Sequence, residues 1–114
     1  MDLKTRNDLL EVLKVNPGVI VIKFGADWCG PCKQIERYVE ELMERMDKNR
    51  SKSYMVNIDK AFDLYAFLKS KKLVNGIPVI LAYYKDNNTY IPDDIVIGAD
   101  TLAIASFFQR CNSI

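Results

Sequence analysis

The apolar run Val19-Ile20-Val21-Ile22-Lys23-Phe24 leads almost directly into Trp28-Cys29-Gly30-Pro31-Cys32-Lys33, and a charged, helix-periodic segment leads out. A β-branched run of this kind reads as a central strand buried on both faces. Pro31 stands where a helix tolerates proline, in its first turn. A strand therefore ends where a helix begins, with two cysteines across the junction. Cysteines at i and i+3 on a first helical turn share a face, close enough to form a disulfide with little backbone movement. The first of them lies where unpaired N–H groups and the positive dipole end favour a thiolate. Thiolate is the form that attacks a disulfide, so the pattern points to thiol–disulfide exchange.

The rest of the composition removes competing chemistries. The chain has 114 residues, enough for one domain with a core, 1–114. Its 49% apolar and 27% charged content are those of an ordinary globular protein, and the net charge of +1 gives no overall electrostatic case for nucleic acid or an anionic membrane. No apolar run approaches the roughly 20 residues a membrane span needs. Met1-Asp2-Leu3-Lys4 lacks the apolar stretch of a secretory signal, so a cytoplasmic protein is expected. With no histidine and only three cysteines, neither a two-Cys, two-His nor a four-Cys zinc site can be built, and no metal is expected. A Cys-x-x-Cys in a reducing compartment is read as redox-active rather than as a structural staple.

At these residues the sequence resembles the thioredoxin family, whose signature is Trp-Cys-Gly-Pro-Cys-Lys after a strand. Gly76-Ile77-Pro78 matches the segment where the family carries a cis-proline facing the disulfide, and Gly98 matches its glycine before the last helix. Asn57-Ile58-Asp59 resembles the end of the family's third strand. In this order the matches run over roughly residues 5 to 111. The resemblance implies an α/β thioredoxin-like fold: a central mixed sheet of four to five strands flanked by four helices. Only about four residues precede the first helix, so the first strand is expected to be short or missing.

The elements follow in order. Residues 5–15 read as an amphipathic helix with Leu9, Leu10, Val12 and Leu13 inward and Thr5 or Asn7 as N-cap. The strand 19–25 is interrupted only by Lys23, which alternation places on the face of Val19 and Val21. Cys32, Ile35, Val39, Leu42 and Met46 recur at three- and four-residue steps, predicting a helix from Pro31 to about Asp47. Its core face carries Cys32, so Cys32 is expected to be buried and Cys29 exposed. Arg37 stands where the family has a kinking proline, so a straighter helix is expected.

Asp47 to Ser53 reads as a solvated connection and Tyr54–Ile58 as a strand. Ala61–Leu73 reads as a helix with Phe62, Leu64, Tyr65 and Leu68 inward. Its basic tail Lys69-Ser70-Lys71-Lys72 either complements the dipole or docks an acidic partner. Pro78 marks the start of the strand 79–84, and Asp86-Asn87-Asn88 a turn. The return, Thr89–Ile97, carries Pro92, which confines it to an edge. Thr101–Arg110 is the last helix, with Leu102, Ile104, Ala105 and Phe108 inward and Asp100 or Thr101 capping; Cys111 follows as a buried small hydrophobe or a regulatory thiol.

What the resemblance implies for function is a protein-disulfide reductase. Reduced Cys29 attacks a substrate disulfide and Cys32 resolves the mixed disulfide, with Gly30 and Pro31 keeping the turn tight. Trp28, Gly76, Ile77, Pro78, Ile97, Gly98 and Ala99 line a shallow groove for disulfide-containing protein substrates. No cofactor is needed beyond the Cys29–Cys32 disulfide itself. A recycling partner is, either a flavoprotein thioredoxin reductase or a glutathione-type system, and a monomer is expected. At Lys23 the family has a buried aspartate, taken to shuttle a proton to or from the second cysteine. Lys23 either snorkels to solvent or favours the thiolate and makes the protein more oxidising. The competing functions are therefore a thiol oxidase or isomerase, and a binding module or subunit that keeps the motif.

Overall fold

The computed structural model describes residues 2–114. Helix α1 spans Arg6–Lys14, strand β1 Val19–Gly25, helix α2 Gly30–Glu44 and strand β2 Ser51–Asn57. Helix α3 follows at Phe62–Ser70, then strands β3 at Val79–Tyr84 and β4 at Asp94–Ile97, and helix α4 at Thr101–Asn112. The four strands form one sheet in the order β2-β1-β3-β4. β1 pairs parallel with β2 and antiparallel with β3, and β4 closes the far edge antiparallel to β3. Among the described residues no strand precedes α1, so β2 is a free edge.

Period-2 alternation in β1 divides the core. Ile20, Ile22 and Phe24 pack with Leu9, Leu13, Leu64 and Leu68 of α1 and α3 on one face. Val19 and Val21 pack with Ile35, Val39, Ile104 and Phe107 of α2 and α4 on the other. Every residue of β1 is buried, as its β-branched run predicts. α1 starts at a reciprocal capping box: Asp8 N–H donates to Thr5 Oγ1 at 3.1 Å, and the Asp8 carboxylate accepts from Thr5 N–H at 3.0 Å. Arg6 forks onto Asp63, its main-chain N–H adding a bond of 2.8 Å, which ties the starts of α1 and α3 together.

Several boundaries differ from the sequence expectation. α2 runs unbroken past Arg37 but ends at Glu44, so Met46 is buried from a turn rather than from the helix. β2 begins at Ser51 instead of Tyr54, because Ser51, Lys52 and Ser53 take the backbone positions opposite Val19, Ile20 and Val21. Their side chains carry no strand pattern; the pairing of β1 recruits them. α3 stops at Ser70, with Lys71 as C-cap and Lys72 turning at φ 62°, so of the basic tail only Lys69 and Ser70 are helical and Lys71 and Lys72 lie beyond the helix. Phe62 and Leu102 are exposed, not inward. Each occupies the first turn of its helix, where the chain arrives from the sheet end and the core face starts with Leu64 or Ile104. The return strand is short: β4 holds only Asp94–Ile97, and residues 85–93 form a loop pinned by Asp93 N–H on Ala82 O at 2.8 Å.

Candidate active site

One end of the sheet gathers every predicted site residue. β1 and β2 run parallel and finish there at Gly25 and Asn57; β3 starts there at Val79, opposite Ile97 at the end of β4. The junctions Ala26–Cys32, Ile77–Pro78 and Ile97–Gly98 therefore share one rim. Cys29 is the N-cap of α2, and its Sγ accepts from Cys32 N–H at 3.2 Å. This is the sulfur equivalent of a serine cap, and it aims the positive end of the helix at Cys29. Cys29 and Cys32 are joined as a disulfide with Cα atoms 5.2 Å apart.

Cys32 is buried, as its helical face demands. Cys29, expected to be exposed, is buried as well, at 6%. Its bond to Cys32 draws it inward, and Ala26 and the half-buried Ile58 and Ile77 pack around the pair. Its neighbour Trp28 stands out, 68% exposed, with its indole N–H on Asp59 Oδ2 at 2.9 Å.

The Ile77–Pro78 peptide bond is cis, and Gly76 before it adopts φ 103°, which suits glycine. Gly98, at φ 90°, donates its N–H to Pro78 O at 2.9 Å. The Ile77 N–H and C=O take no partner among the described residues. Ile97 is exposed beside them, and Ala99 half-buried. Of the predicted groove residues, Ile77 packs against the cysteine pair and Trp28 precedes it in the chain, while Gly98 is tied to Pro78 by its N–H and flanked by Ile97 and Ala99.

Lys23 does not snorkel. It is 3% exposed, on the α2 face of β1. A Cβ placed on Gly25 would lie 3.5 Å from Cys32 Sγ and 3.6 Å from Lys23 Nζ, so both atoms stand over the same glycine. They line a cavity of about 150 Å³ with Asp27, Glu36 and Asn57. Burial pulls the Lys23 amine below its ordinary value, while the charges of Glu36 and Glu40 pull it back up.

Two supporting residues escaped the sequence reading. Tyr65, taken as core, donates its hydroxyl to Gly76 O at 3.0 Å and accepts Gly76 N–H at 3.0 Å, bracing the turn before Pro78. Asp59 holds Trp28. Nothing in the spacing of either announces a partner 11 or 31 residues away. Among the described residues no cluster of three metal-ligating side chains occurs.

The protein-family description "Thioredoxin" matches residues 3–110. The mitochondrial thioredoxin-2 of Schizosaccharomyces pombe is 32% identical over 93 residues, 81% of this chain and 62% of that protein. Thioredoxin 3 of Plasmodium falciparum is 30% identical over 112 residues, 96% of this chain and 58% of that protein. The chain thus spans about three fifths of these two relatives. A crystal structure of a Plasmodium falciparum thioredoxin superposes with a TM-score of 0.72 at 27% identity, covering 96% of this chain and 84% of the other. The four-stranded mixed sheet with its four helices is the thioredoxin-like fold, and this chain belongs to the thioredoxin family.

Proposed function

We propose that the protein is a thiol–disulfide oxidoreductase that reduces disulfides in other proteins. The observation that carries this reading is the Cys29–Cys32 disulfide closed at the first turn of α2, with Cys29 Sγ receiving a backbone N–H. In the reduced protein that N–H and the helix end stabilise a Cys29 thiolate, the attacking species. Attack on a substrate disulfide gives a mixed disulfide; Cys32 then attacks Cys29 Sγ and releases the reduced substrate. Because Cys29 is buried on most sides, the substrate must approach over the Trp28–Ile77–Ile97 rim. The unpaired Ile77 N–H and C=O favour an extended substrate segment hydrogen-bonded beside Pro78.

The same reading includes disulfide-bearing proteins as substrates, no cofactor, recycling by a flavoprotein or glutathione-type reductase, a monomer, and the cytoplasm as its compartment. The decisive measurement is the equilibrium potential against a glutathione series, with insulin reduction alongside. A potential near or below that of reducing thioredoxins, with turnover lost in Cys29→Ser, supports the reductase; a sample that never cycles between dithiol and disulfide refutes it. The burial of Lys23 beside Cys32 favours a second reading, in which a cation near the dithiol makes the protein a better oxidant or isomerase. An unchanged potential in Lys23→Asp would remove that alternative.

A further inference from the structure

The basic turn Lys69-Ser70-Lys71-Lys72 is not spent on ending α3. That helix closes on its own backbone: Leu73 N–H donates to Leu68 O at 2.9 Å, Lys72 N–H to Lys69 O at 2.9 Å and Lys71 N–H to Phe67 O at 3.1 Å. The Ser70 hydroxyl adds a second bond to Phe67 O at 2.7 Å. The carbonyls of residues 67–69 are therefore satisfied without a lysine side chain, leaving the lysines only the weak, salt-screened attraction of the helix dipole. Lys72 turns at φ 62°, a left-handed position that favours glycine, so the turn does not select a lysine either. Between residues 62 and 73 the only carboxylate is Asp63, and Arg6 occupies it. Among the described residues no acid pairs with Lys69, Lys71 or Lys72.

Beside these lysines lies an apolar pocket of about 380 Å³, formed by Phe67, Lys71 and Leu73 on the α3 side and by Thr89, Tyr90 and Ile91 from the loop after β3. That volume falls in the range of roughly 300–1,000 Å³ typical of ligand sites. Tyr90 meets the Phe67 ring edge-on with centroids 4.5 Å apart, and the Lys71 ammonium sits 5.7 Å from the centre of the same ring. The loop is braced to hold its wall. The Tyr83 hydroxyl donates to Tyr90 O at 2.8 Å, and Asn87 Nδ2 donates to Ile91 O at 2.9 Å. Fixed in this way, Ile91 remains 63% exposed. A braced loop that displays a large apolar side chain beside an open apolar pocket marks an interaction surface. Tyr84 pairs with Val19 at the start of β1 and Val79 with Phe24 near its end, so the loop leaves β3 at the end of the sheet away from Pro78.

We propose that this pocket receives a bulky apolar side chain from an acidic segment of a partner protein, whose flanking carboxylates meet Lys71 and its neighbours Lys69 and Lys72. Charge sets the sign of the partner, and shape sets its class. Phe67, Leu73 and Tyr90 are half-buried, and of the apolar walls only Ile91 is exposed. A recessed surface takes a side chain into the protein, whereas a bilayer contact needs apolar side chains that project outward. A second copy turned onto the same face would bring its own lysines against these. Docking here uses no residue of the Trp28–Ile77–Ile97 rim, so a partner can be held at one end of the sheet while the disulfide stays accessible at the other.

The test pans a cysteine-free library of random dodecapeptides on the oxidised wild-type chain and discards peptides that also bind Lys71→Glu/Ile91→Glu. Both positions are exposed, and this variant should reduce 5,5′-dithiobis(2-nitrobenzoate) within about twofold of the wild-type rate; Lys71→Glu alone replaces it if it does not fold. The expected survivors carry Phe, Leu, Ile, Met or Trp flanked by Asp or Glu. Their synthetic forms should bind Lys69→Glu/Lys72→Glu at least about tenfold more weakly than wild type and lose affinity as salt rises. No surviving peptide, survivors without acidic residues, or affinities indifferent to Lys69→Glu/Lys72→Glu overturn the proposal. So does a wild-type chain that sediments as a dimer, or floats with vesicles of phosphatidylcholine and phosphatidylserine, where Lys71→Glu/Ile91→Glu abolishes that property.

Discussion

Lys23→Met should stabilise the oxidised fold. Both side chains bury a similar apolar stem in the space between β1 and α2, so the exchange leaves no large void. What changes is the amine, which belongs to a buried residue, lines the cavity and forms no hydrogen bond or ion pair among the described residues. Even a buried ion pair can be replaced by apolar residues of similar volume with an effect that is neutral or stabilising by up to about 4 kcal/mol, and an amine with no partner has less to lose. The cavity and the attraction of Glu36 and Glu40 reduce the cost here, which places the gain at about 1–2 kcal/mol at pH 7. In a domain of this size that is about 4 °C or more in Tm for each kcal/mol.

The pH dependence gives a sharper signature. The folded-state value of Lys23 is lowered by desolvation, so in the window between it and the ordinary 10.5 the unfolded chain binds more protons than the folded one. Wild-type stability contributed by this group therefore rises with pH through that window. The advantage of Lys23→Met is complete below the folded value and shrinks as pH approaches 10.5. Other titrating groups are common to both proteins and cancel in the difference. Urea unfolding of the two oxidised proteins at several pH values measures it. A variant less stable than wild type at pH 7, or a gap that stays constant or widens toward pH 10, would refute the description of Lys23 as an unpaired buried amine.

Three further outcomes are expected from the packing around Gly18, Cys111 and Tyr65. Gly18→Ala should cost about 1–3 kcal/mol in urea unfolding, because its Cβ would stand 2.5 Å from Arg50 O, a carbonyl fixed by Val19 N–H at 3.0 Å; a loss below experimental error would show that the β1–β2 entry can shift. Burial pushes the Cys111 thiol up to about 12, so iodoacetamide should modify it in the native oxidised protein roughly a thousandfold more slowly than after unfolding in guanidinium. Native labelling at the rate of a free thiol would contradict its placement against Ile104 and Phe108. Tyr65→Phe should lose about 1 kcal/mol of stability and depress insulin reduction more than reduction of a small aromatic disulfide such as 5,5′-dithiobis(2-nitrobenzoate), since it frees Gly76 next to the groove. Equal effects on both substrates would remove Tyr65 from the binding rim.

Much of the site was legible in the sequence because it is local. A β-branched run, a proline in the first helical turn and two cysteines three apart specify a strand, a helix start and a cysteine pair within one short segment. The resemblance added Ile77–Pro78, whose cis bond no local rule would have justified. Helix faces were legible where the apolar period is long, as from Cys32 to Val39, and misleading at first turns, where Phe62 and Leu102 precede the packed face. Ser51-Lys52-Ser53 has no strand pattern at all. Its conformation comes from β1, whose unpaired N–H and C=O groups require a partner along their full length.

The chain's own order of residues determined that two sulfurs would meet at a helix N-terminus, since that geometry needs only a few consecutive residues. Tertiary structure decided what surrounds them. Cys29 is buried because Ile58 and Ile77, distant in the chain, close over it. Lys23 is buried and unpaired because α2 starts above it at Gly25 and leaves a cavity instead of a partner. Burial and proximity depend on which elements the sheet order brings together, and that order is a property of the whole packed chain.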